Sequence, residues 1–258
     1  MPTPAPTPLH LLVLGGLLLT IAAPAGAWDL CRHAAERRAS HDTAGATRVV
    51  IEARAGELDV RPARGTTLEA HGRACASRES WLAQTDVRVR RDGDMVRVEV
   101  LMPENMSGLG LVYATLDLTV EVPAALPVEI TDSSGDLEVR DLRLERLTDS
   151  SGDIEVLRPL GDLEIDDSSG DLRVEQAAGR VLVRDSSGDI VIRGAREVSI
   201  PSDSSGDITV ERVSGNVLIE QDSSGDIRVE DVDGDFTLER DSSGSVRTND
   251  VRGNVRTP

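Results

Sequence analysis

The chain has 258 residues, enough for one large domain or two small ones with a sizeable core. Its 46 acidic residues outnumber the 28 basic ones, all of which are arginine, and the formal net charge is −18. Because phosphate backbones and anionic lipids are bound by basic patches, this balance argues against nucleic acid and against direct binding to an anionic membrane. The aromatic content of 2% also argues against base-stacking platforms and aromatic sugar subsites.

Residues 1–27 are predicted to be a cleavable secretory signal. The apolar run from Leu9 to Ala23 is shorter than the roughly 20 residues that a membrane-spanning helix needs. Ala25-Gly26-Ala27 follows it with the small-x-small pattern of a signal-peptidase site, which places cleavage between Ala27 and Trp28. The segment before the run has no lysine or arginine, so an uncleaved anchor stays open as an alternative. A signal implies an exported protein, in the periplasm or at the surface of a bacterium.

The two cysteines, Cys31 and Cys75, are predicted to form a disulfide, as a lone pair most often does in an oxidising compartment. An alternative groups them with His33, His41 and His71 as a metal site. That spacing matches no compact zinc pattern.

Residues 28–131 are predicted to be a β-rich region that continues into the repeats. Its predicted elements, in chain order, are strands at 49–51 and 58–60, a short helix within 77–84, a hairpin of 87–91 with 95–101, and a strand at 113–122.

Residues 132–258 form a repeat array. The string Asp-Ser-Ser-Gly occurs seven times at intervals of 17 to 19 residues, which identifies a repeat architecture. Six of the seven copies continue with Asp, then Leu or Ile, then any residue, then Val or Ile. The first residues of the seven copies are Asp132, Asp149, Asp167, Asp185, Asp203, Asp222 and Asp241.

Each unit of about 18 residues divides into two nine-residue halves, because glycines recur at 152, 161, 170, 179 and 188. An apolar-x-apolar pattern follows each of them, which is typical of a strand with one buried face. Two strands and two turns would complete one coil, so the pattern predicts an all-β fold, a two-sided parallel β-solenoid. The apolar positions step by two and seven residues and never by six, which argues against a three-sided hexapeptide helix. The last coil, from Gly244 onward, is poor in apolar residues and predicts a polar terminal cap, with end-to-end self-association left open.

Two interpretations of the Asp-Ser-Ser-Gly corner stay open. Asp at the first position and Gly at the fourth suit a type I turn, so geometry alone could repeat the motif. The opposite corners vary, however, which favours a function for the invariant ones. Stacked coils would place rows of carboxylates about 4.8 Å apart along a solvated edge. Such rows attract cations, so the seven aspartates are calcium candidates, although the Gly-Gly-x-Gly-x-Asp pattern of calcium-binding β-rolls is absent.

The repeats also carry a resemblance to a known family. The Ser-Gly-Asp-Ile/Leu-x-Val units, the strand ending in Val120-Glu121-Val122-Pro123 and the secretion signal resemble the bacterial putative adhesin family, a domain of unknown function. The resemblance covers about Val49 to the C-terminus. It implies a β-solenoid and a surface location, and it specifies fold far better than activity.

No catalytic residue is predicted. All four histidines lie at or before His71, so the repeat serines have no imidazole to activate them, and solvated carboxylates lack the apolar pocket that acid–base work needs. We therefore expect an exported, non-catalytic structural or binding module of the cell envelope. It would need no cofactor, calcium being the alternative, and would bind an unknown protein or surface ligand. An envelope enzyme using His71 is the remaining alternative.

Overall fold

The computed structural model describes residues 31–107 and 112–258. The predicted signal segment and its cleavage site between Ala27 and Trp28 lie outside the described residues. Strands dominate the described part, and its helix, α1 (Glu79–Leu82), confirms the one predicted within 77–84. None of its helices is long and apolar enough to cross a membrane.

In chain order, the strands of the described residues are β1 (His33–Asp42), β2 (Arg48–Glu52), β3 (Leu58–Ala63), β4 (Thr67–Ala76), β5 (Asp86–Asp92), β6 (Met95–Leu101), β7 (Ala114–Pro123), β8 (Val128–Thr131), β9 (Leu137–Arg140), β10 (Leu144–Thr148), β11 (Ile154–Leu157), β12 (Leu163–Asp166), β13 (Leu172–Glu175), β14 (Arg180–Arg184), β15 (Ile190–Ala195), β16 (Glu197–Ser202), β17 (Ile208–Val213), β18 (Val217–Ile219), β19 (Ile227–Val232), β20 (Phe236–Leu238), β21 (Val246–Val251) and β22 (Val255–Arg256).

These strands form two sheets. Sheet A has the order β1-β4-β7-β3-β9-β11-β13-β15-β17-β19-β21, and sheet B has the order β5-β6-β2-β8-β10-β12-β14-β16-β18-β20-β22. From β8 and β9 onward every pairing is parallel, and each coil contributes one strand to each sheet. Partners such as Leu172 and Ile190 are one repeat apart in sequence. The predicted two-sided parallel β-solenoid is therefore confirmed.

The core lies between the two sheets and follows directly from the period-two alternation of the strands. On β11 the side chains of Ile154 and Val156 are buried, whereas Glu155 between them is partly exposed. On β12 Leu163 and Ile165 are buried in the same way from the opposite sheet. Removal of this apolar surface from water stabilises the stack.

The N-terminal layers do not stack in chain order. The coil made of β2 and β3 pairs with β8 and β9 on one side and with β6 and β7 on the other. The chain thus builds the β2–β3 layer first, adds β6–β7 outside it, and then crosses back to start β8 on the opposite side. The predicted hairpin is confirmed by the antiparallel pairing of β5 with β6.

The two ends of the solenoid differ. Beyond β7, sheet A is extended by the antiparallel strands β4 and β1, and a disulfide between Cys31 and Cys75 joins β4 to the residue region just before β1. This bond confirms the predicted pairing and excludes the alternative use of both cysteines as metal ligands. At the other end, β21 and β22 are largely exposed, and Val255 is 48% exposed.

Candidate functional site

Each coil turns twice, and the two turns have different chemistry. We call the Asp-Ser-Ser-Gly turn from sheet B to sheet A the first corner, and the turn from sheet A to sheet B the second corner. Backbone hydrogen bonds continue through the first corner from coil to coil. The N–H of Asp149 donates to the carbonyl of Asp166 at 3.0 Å, and the N–H of Gly152 donates to that of Ser169 at 3.2 Å. The corner is therefore as regular as the strands that it joins.

The glycine of the first corner is required by a close approach between coils. Gly188 has φ +131°, and a Cβ built on it would lie 1.8 Å from the carbonyl oxygen of Gly170. The same contact recurs along the stack. At the N-terminal end of the repeats, a Cβ on Gly135 would lie 2.2 Å from the carbonyl oxygen of Gly56. No side chain fits such a gap, so packing alone explains why this residue does not vary.

The serines of the first corner also serve the stacking of coils. The second serine donates its hydroxyl to the carbonyl of the first serine in the preceding coil, as Ser169 does to Ser150 at 3.0 Å and Ser187 does to Ser168 at 3.1 Å. Among the described residues, His71 lies on β4 opposite Thr119, and the strands β7 and β3 separate it from β9. The serine hydroxyls therefore serve the contact between consecutive coils.

The aspartates that open the motif point into the protein, which corrects the expectation of a solvated row. Six of them are buried, with exposed fractions between 0% for Asp222 and 5% for Asp167, and Asp241 in the terminal coil is half-buried. We call the six the buried column: Asp132, Asp149, Asp167, Asp185, Asp203 and Asp222. The sequence did not reveal this direction, because a turn can reset which face the next side chain points to.

The hydrogen bonding of the buried column is incomplete. The Oδ1 atom of Asp167 accepts the N–H of Ser168 at 2.7 Å, and Asp132 and Asp185 accept the N–H of the following serine at the same distance. The Oδ2 atom of all six carboxyl groups has no hydrogen-bond partner. Among the described residues, no ion pair with arginine includes any member of the column. A buried charge without a partner is costly, so this arrangement needs an explanation.

Burial changes the acidity of the column. Loss of water raises the pKa of Asp132 and of Asp167 to about 6 and that of Asp203 to about 7. Neighbouring carboxylates add to the rise at all three, and hydrogen bonds from serine N–H groups oppose it. Burial is also the main cause of a raised pKa at Asp149, Asp185 and Asp222. Two ionised carboxylates one coil apart, about 4.8 Å, would repel by roughly 3 kcal/mol at an effective dielectric of 20.

A second row of carboxylates lies outside, as expected for the solenoid edge. We call it the outer column: Asp136, Asp153, Asp171, Asp189, Asp207 and Asp226. Each member accepts, through Oδ1, the backbone N–H of the next coil, as Asp153 does from Asp171 at 3.0 Å. The other carboxylate oxygen stays available, except at Asp226, where Oδ2 also accepts from Arg247. Beside this row runs a shallow groove of about 570 Å³ lined by carboxylates of Asp136, Asp153, Asp171 and Asp189 together with Glu57, Asp59, Glu138 and Glu155.

The described residues that were candidate metal ligands do not come together in the fold. Within residues 31–107 and 112–258, no group of three or more His, Cys, Asp or Glu side chains is arranged to hold a metal ion. His33 and His41 lie on β1 and His71 lies on β4, opposite Ala76, Leu68 and Arg38 respectively. These three histidines are thus spread along two strands and do not converge on one point.

Comparison with known proteins finds likeness in structure. No protein-family model matches the chain, and no curated protein matches it. A putative adhesin from Bacteroides fragilis aligns with 87% of this chain and 97% of its own, at 13% identity and a TM-score of 0.46. A putative cell adhesion protein from Clostridium sporogenes covers 87% and 100% at 14% identity and 0.39, and a putative adhesin from Parabacteroides merdae covers 87% and 96% at 9% identity and 0.41. These similar structures are bacterial and bear adhesin names, as the resemblance of the repeats predicted. At these identities no ligand carries over to this chain.

Proposed function

We propose that the protein is an exported, non-catalytic, adhesin-like module of the bacterial cell envelope that binds a cationic segment of a partner along its outer column. The support comes from the geometry of the first corner. One outward carboxylate per coil recurs at the strand spacing beside an open acidic groove. A rigid row of equal charges at equal intervals suits an extended chain of lysines or arginines, because several weak ion pairs then form together.

The charge of the whole chain also favours a cationic partner. The net charge of −18 attracts cationic partners over a distance of about one Debye length, 8 to 10 Å at ordinary salt. Residues 128–258 hold 31 of the 46 acidic residues and only 15 arginines, so the excess negative charge belongs to the repeats. This field favours association with basic protein segments and opposes contact with bare anionic lipid.

The groove is poorly suited to catalysis. It is open, and it is lined mainly by acidic side chains of the outer column and of sheet A, with Arg173 as the one cation among its lining residues. The lining residues include no histidine, cysteine or serine. A surface of this kind can hold a chain in place, but it supplies no activated nucleophile.

A deca-lysine peptide is a suitable probe, with binding to the full chain followed by calorimetry at low and high salt. Replacing Asp153, Asp171 and Asp189 with Asn should weaken binding at least about tenfold. The fold should tolerate this change, because Asn216 already accepts the N–H of Asp235 through its Oδ1 at 2.9 Å.

The matched control replaces Glu197, Glu220 and Glu239 with Gln, which removes three charges on or beside the strands of sheet B. If both triple variants lose affinity equally, net charge alone explains the binding and the outer column is not the site. If the Asn variant binds as well as the unmodified protein, the proposal is wrong.

Export is tested separately. Producing the full chain in a Gram-negative bacterium and fractionating the cells should recover it outside the cytoplasm, with Trp28 as its first residue. Recovery of the uncleaved chain in the inner membrane would contradict the proposed signal.

Calcium remains the alternative ligand of the Asp-Ser-Ser-Gly aspartates. It predicts a saturable rise in melting temperature with calcium that is lost when these aspartates are replaced with Asn. Equal melting temperatures in calcium and in a chelator would count against this alternative.

A further inference from the structure

The buried column presents six carboxyl groups that pair with no arginine of the described residues. They repeat once per coil in register, and each leaves its Oδ2 atom without a hydrogen-bond partner. The position does not require an acid. In the first coil the chain runs Ala53-Arg54-Ala55-Gly56 through the same turn, with Ala55 paired to Ser134 and the N–H of Ala53 bound to Thr131 at 2.9 Å. An alanine therefore completes the corner, so the acids in the later coils call for another explanation.

The charged groups around the column add to its negative potential. An outer-column aspartate follows each member of the buried column by four residues, directly before a strand of sheet A, and Asp171 contributes to the raised pKa of Asp185. From the terminal coil, Asp241 does the same to Asp222. At the end of sheet B, Asp166 and Arg184 precede members of the column, but they alternate to the outer face and pair with each other at 3.1 Å. Arg240, which precedes Asp241, is exposed.

We propose that the buried column is a proton-binding site in which neighbouring coils share protons between their aspartates. A carboxylic acid in one coil donates its O–H to a carboxylate oxygen in the next, which supplies the partners that the Oδ2 atoms lack. Equivalent motif positions of neighbouring coils stand directly opposite each other, as the parallel bridge between Asp222 and Asp241 shows. The protons come from solvent when the solenoid folds, and no other group is consumed or released.

Proton uptake makes the stability of the solenoid depend on pH in a defined direction. The pKa of Asp203 is raised to about 7 and those of Asp132 and Asp167 to about 6, whereas the unfolded chain has the ordinary value near 4. Between about pH 4 and pH 7 the folded state therefore holds more protons than the unfolded state. The stabilising contribution is complete below pH 4, falls as the pH rises through 6 to 7, and is absent above.

The test compares two triple variants of the full chain with equal changes in charge. Replacing Asp167, Asp185 and Asp203 with Asn should raise the melting temperature at pH 8, because three of the six buried charges are gone. It should also reduce the number of protons taken up on folding at pH 5.5 by about half. The control replaces Asp136, Asp153 and Asp207 of the outer column with Asn. None of these three raises the pKa of a member of the buried column, so this variant should keep the proton uptake of the unmodified protein.

A direct readout uses the unmodified protein. The carboxyl carbons of ¹³C-labelled aspartate should include a set that titrates between pH 5 and 8, and the single variant Asp203→Asn should remove one member of it. If every aspartate titrates near pH 4, the column holds no protons and the proposal is wrong. It is equally wrong if a chelator lowers the melting temperature of the unmodified protein and not of the buried triple variant, because a metal cation would then occupy the column.

The proton proposal and the binding proposal fail independently. Loss of peptide binding in the outer-column variant says nothing about proton uptake, and a normal titration of the buried column leaves peptide binding untouched.

Discussion

The two corners of one coil both reverse the chain between the two sheets, but different side chains point inward at each. At the first corner, the inward position is occupied by the carboxyl groups of the buried column. At the second corner it is occupied by apolar residues, which are Leu142, Pro159, Ala177, Ala195, Val213 and Val232. Both corners reverse the chain between the same two sheets, so reversal alone does not select an acid.

The backbone differs between the corners in a way that explains their sequence variation. The first corner brings glycines of successive coils so close that no Cβ fits. The second corner places one residue per coil at a positive φ between 51° and 81°, and this position is held by Asp141, Arg158, Gln176, Gly194, Arg212 and Asp231. Many residue types tolerate a positive φ at a modest cost in free energy, whereas a side chain cannot be placed where its Cβ would overlap the neighbouring backbone. The first corner is the closer of the two: a Cβ there would lie 1.7 to 2.2 Å from the carbonyl oxygen of the preceding coil, against 2.3 to 2.6 Å at Gly179, Gly215, Gly234 and Gly253 of the second corner.

The largest expected effect comes from filling the first corner. Gly188→Ala would place a methyl group 1.8 Å from the oxygen of Gly170 and should destabilise the protein by about 3 kcal/mol or more. Urea unfolding followed by circular dichroism measures the loss. A variant as stable as the unmodified chain would show that the coils can separate at this corner without cost.

A second experiment moves the acid from one corner to the other. Val213→Asp introduces a carboxylate into the apolar corner, with no column to share a proton, and should cost about 3 kcal/mol at pH 8 and less at pH 4. Asp203→Ala, which copies the residue at Ala53, should cost nothing at pH 8. The two are compared by urea unfolding at both pH values. Equal losses would mean that the corners do not differ in their tolerance of charge.

The smallest expected effect is that of Gly194→Ala at the second corner. A Cβ there would meet no atom closer than 3.5 Å, but the φ of +81° disfavours alanine, so we expect a loss of about 1 kcal/mol. This is the same chemical change as Gly188→Ala six residues earlier. The ratio of the two losses, from the same urea unfolding experiment, separates steric exclusion from backbone strain. A ratio near one would contradict the conclusion that steric exclusion acts at Gly188 and backbone strain at Gly194.

Much of the fold could be predicted because its contacts are periodic. Residues such as Leu172 and Ile190 pair because they occupy the same position in consecutive repeats, so the repeat interval predicts the strand register directly. The hairpin of β5 and β6 and the short helix α1 are local structures that follow from nearby residues. The stacking order of the N-terminal layers could not be predicted, because pairing of β2 with β6 and with β8 is equally compatible with the alternation of each strand.

The candidate site was predicted only in part. The spacing of the motif correctly indicated rows of stacked carboxylates, and the outer column forms one of them. The prediction was wrong for the buried column, which was expected to face solvent, and one signal in the sequence could have revealed its inward direction. Ala53 occupies the first position of the corresponding turn in the first coil, and a small apolar residue there is typical of an inward position.

By itself, the sequence determined the coil: two short strands, two turns, a repeat of 17 to 19 residues and a disulfide between Cys31 and Cys75. These features depend on local alternation and on spacing, which a linear pattern records. The tertiary structure decided the order of the first layers and the inward direction of the motif aspartates, which only Ala53 indicated in the sequence. Both depend on how a turn is placed against its neighbours in space, and the contact between Gly188 and Gly170 shows how closely those neighbours constrain it.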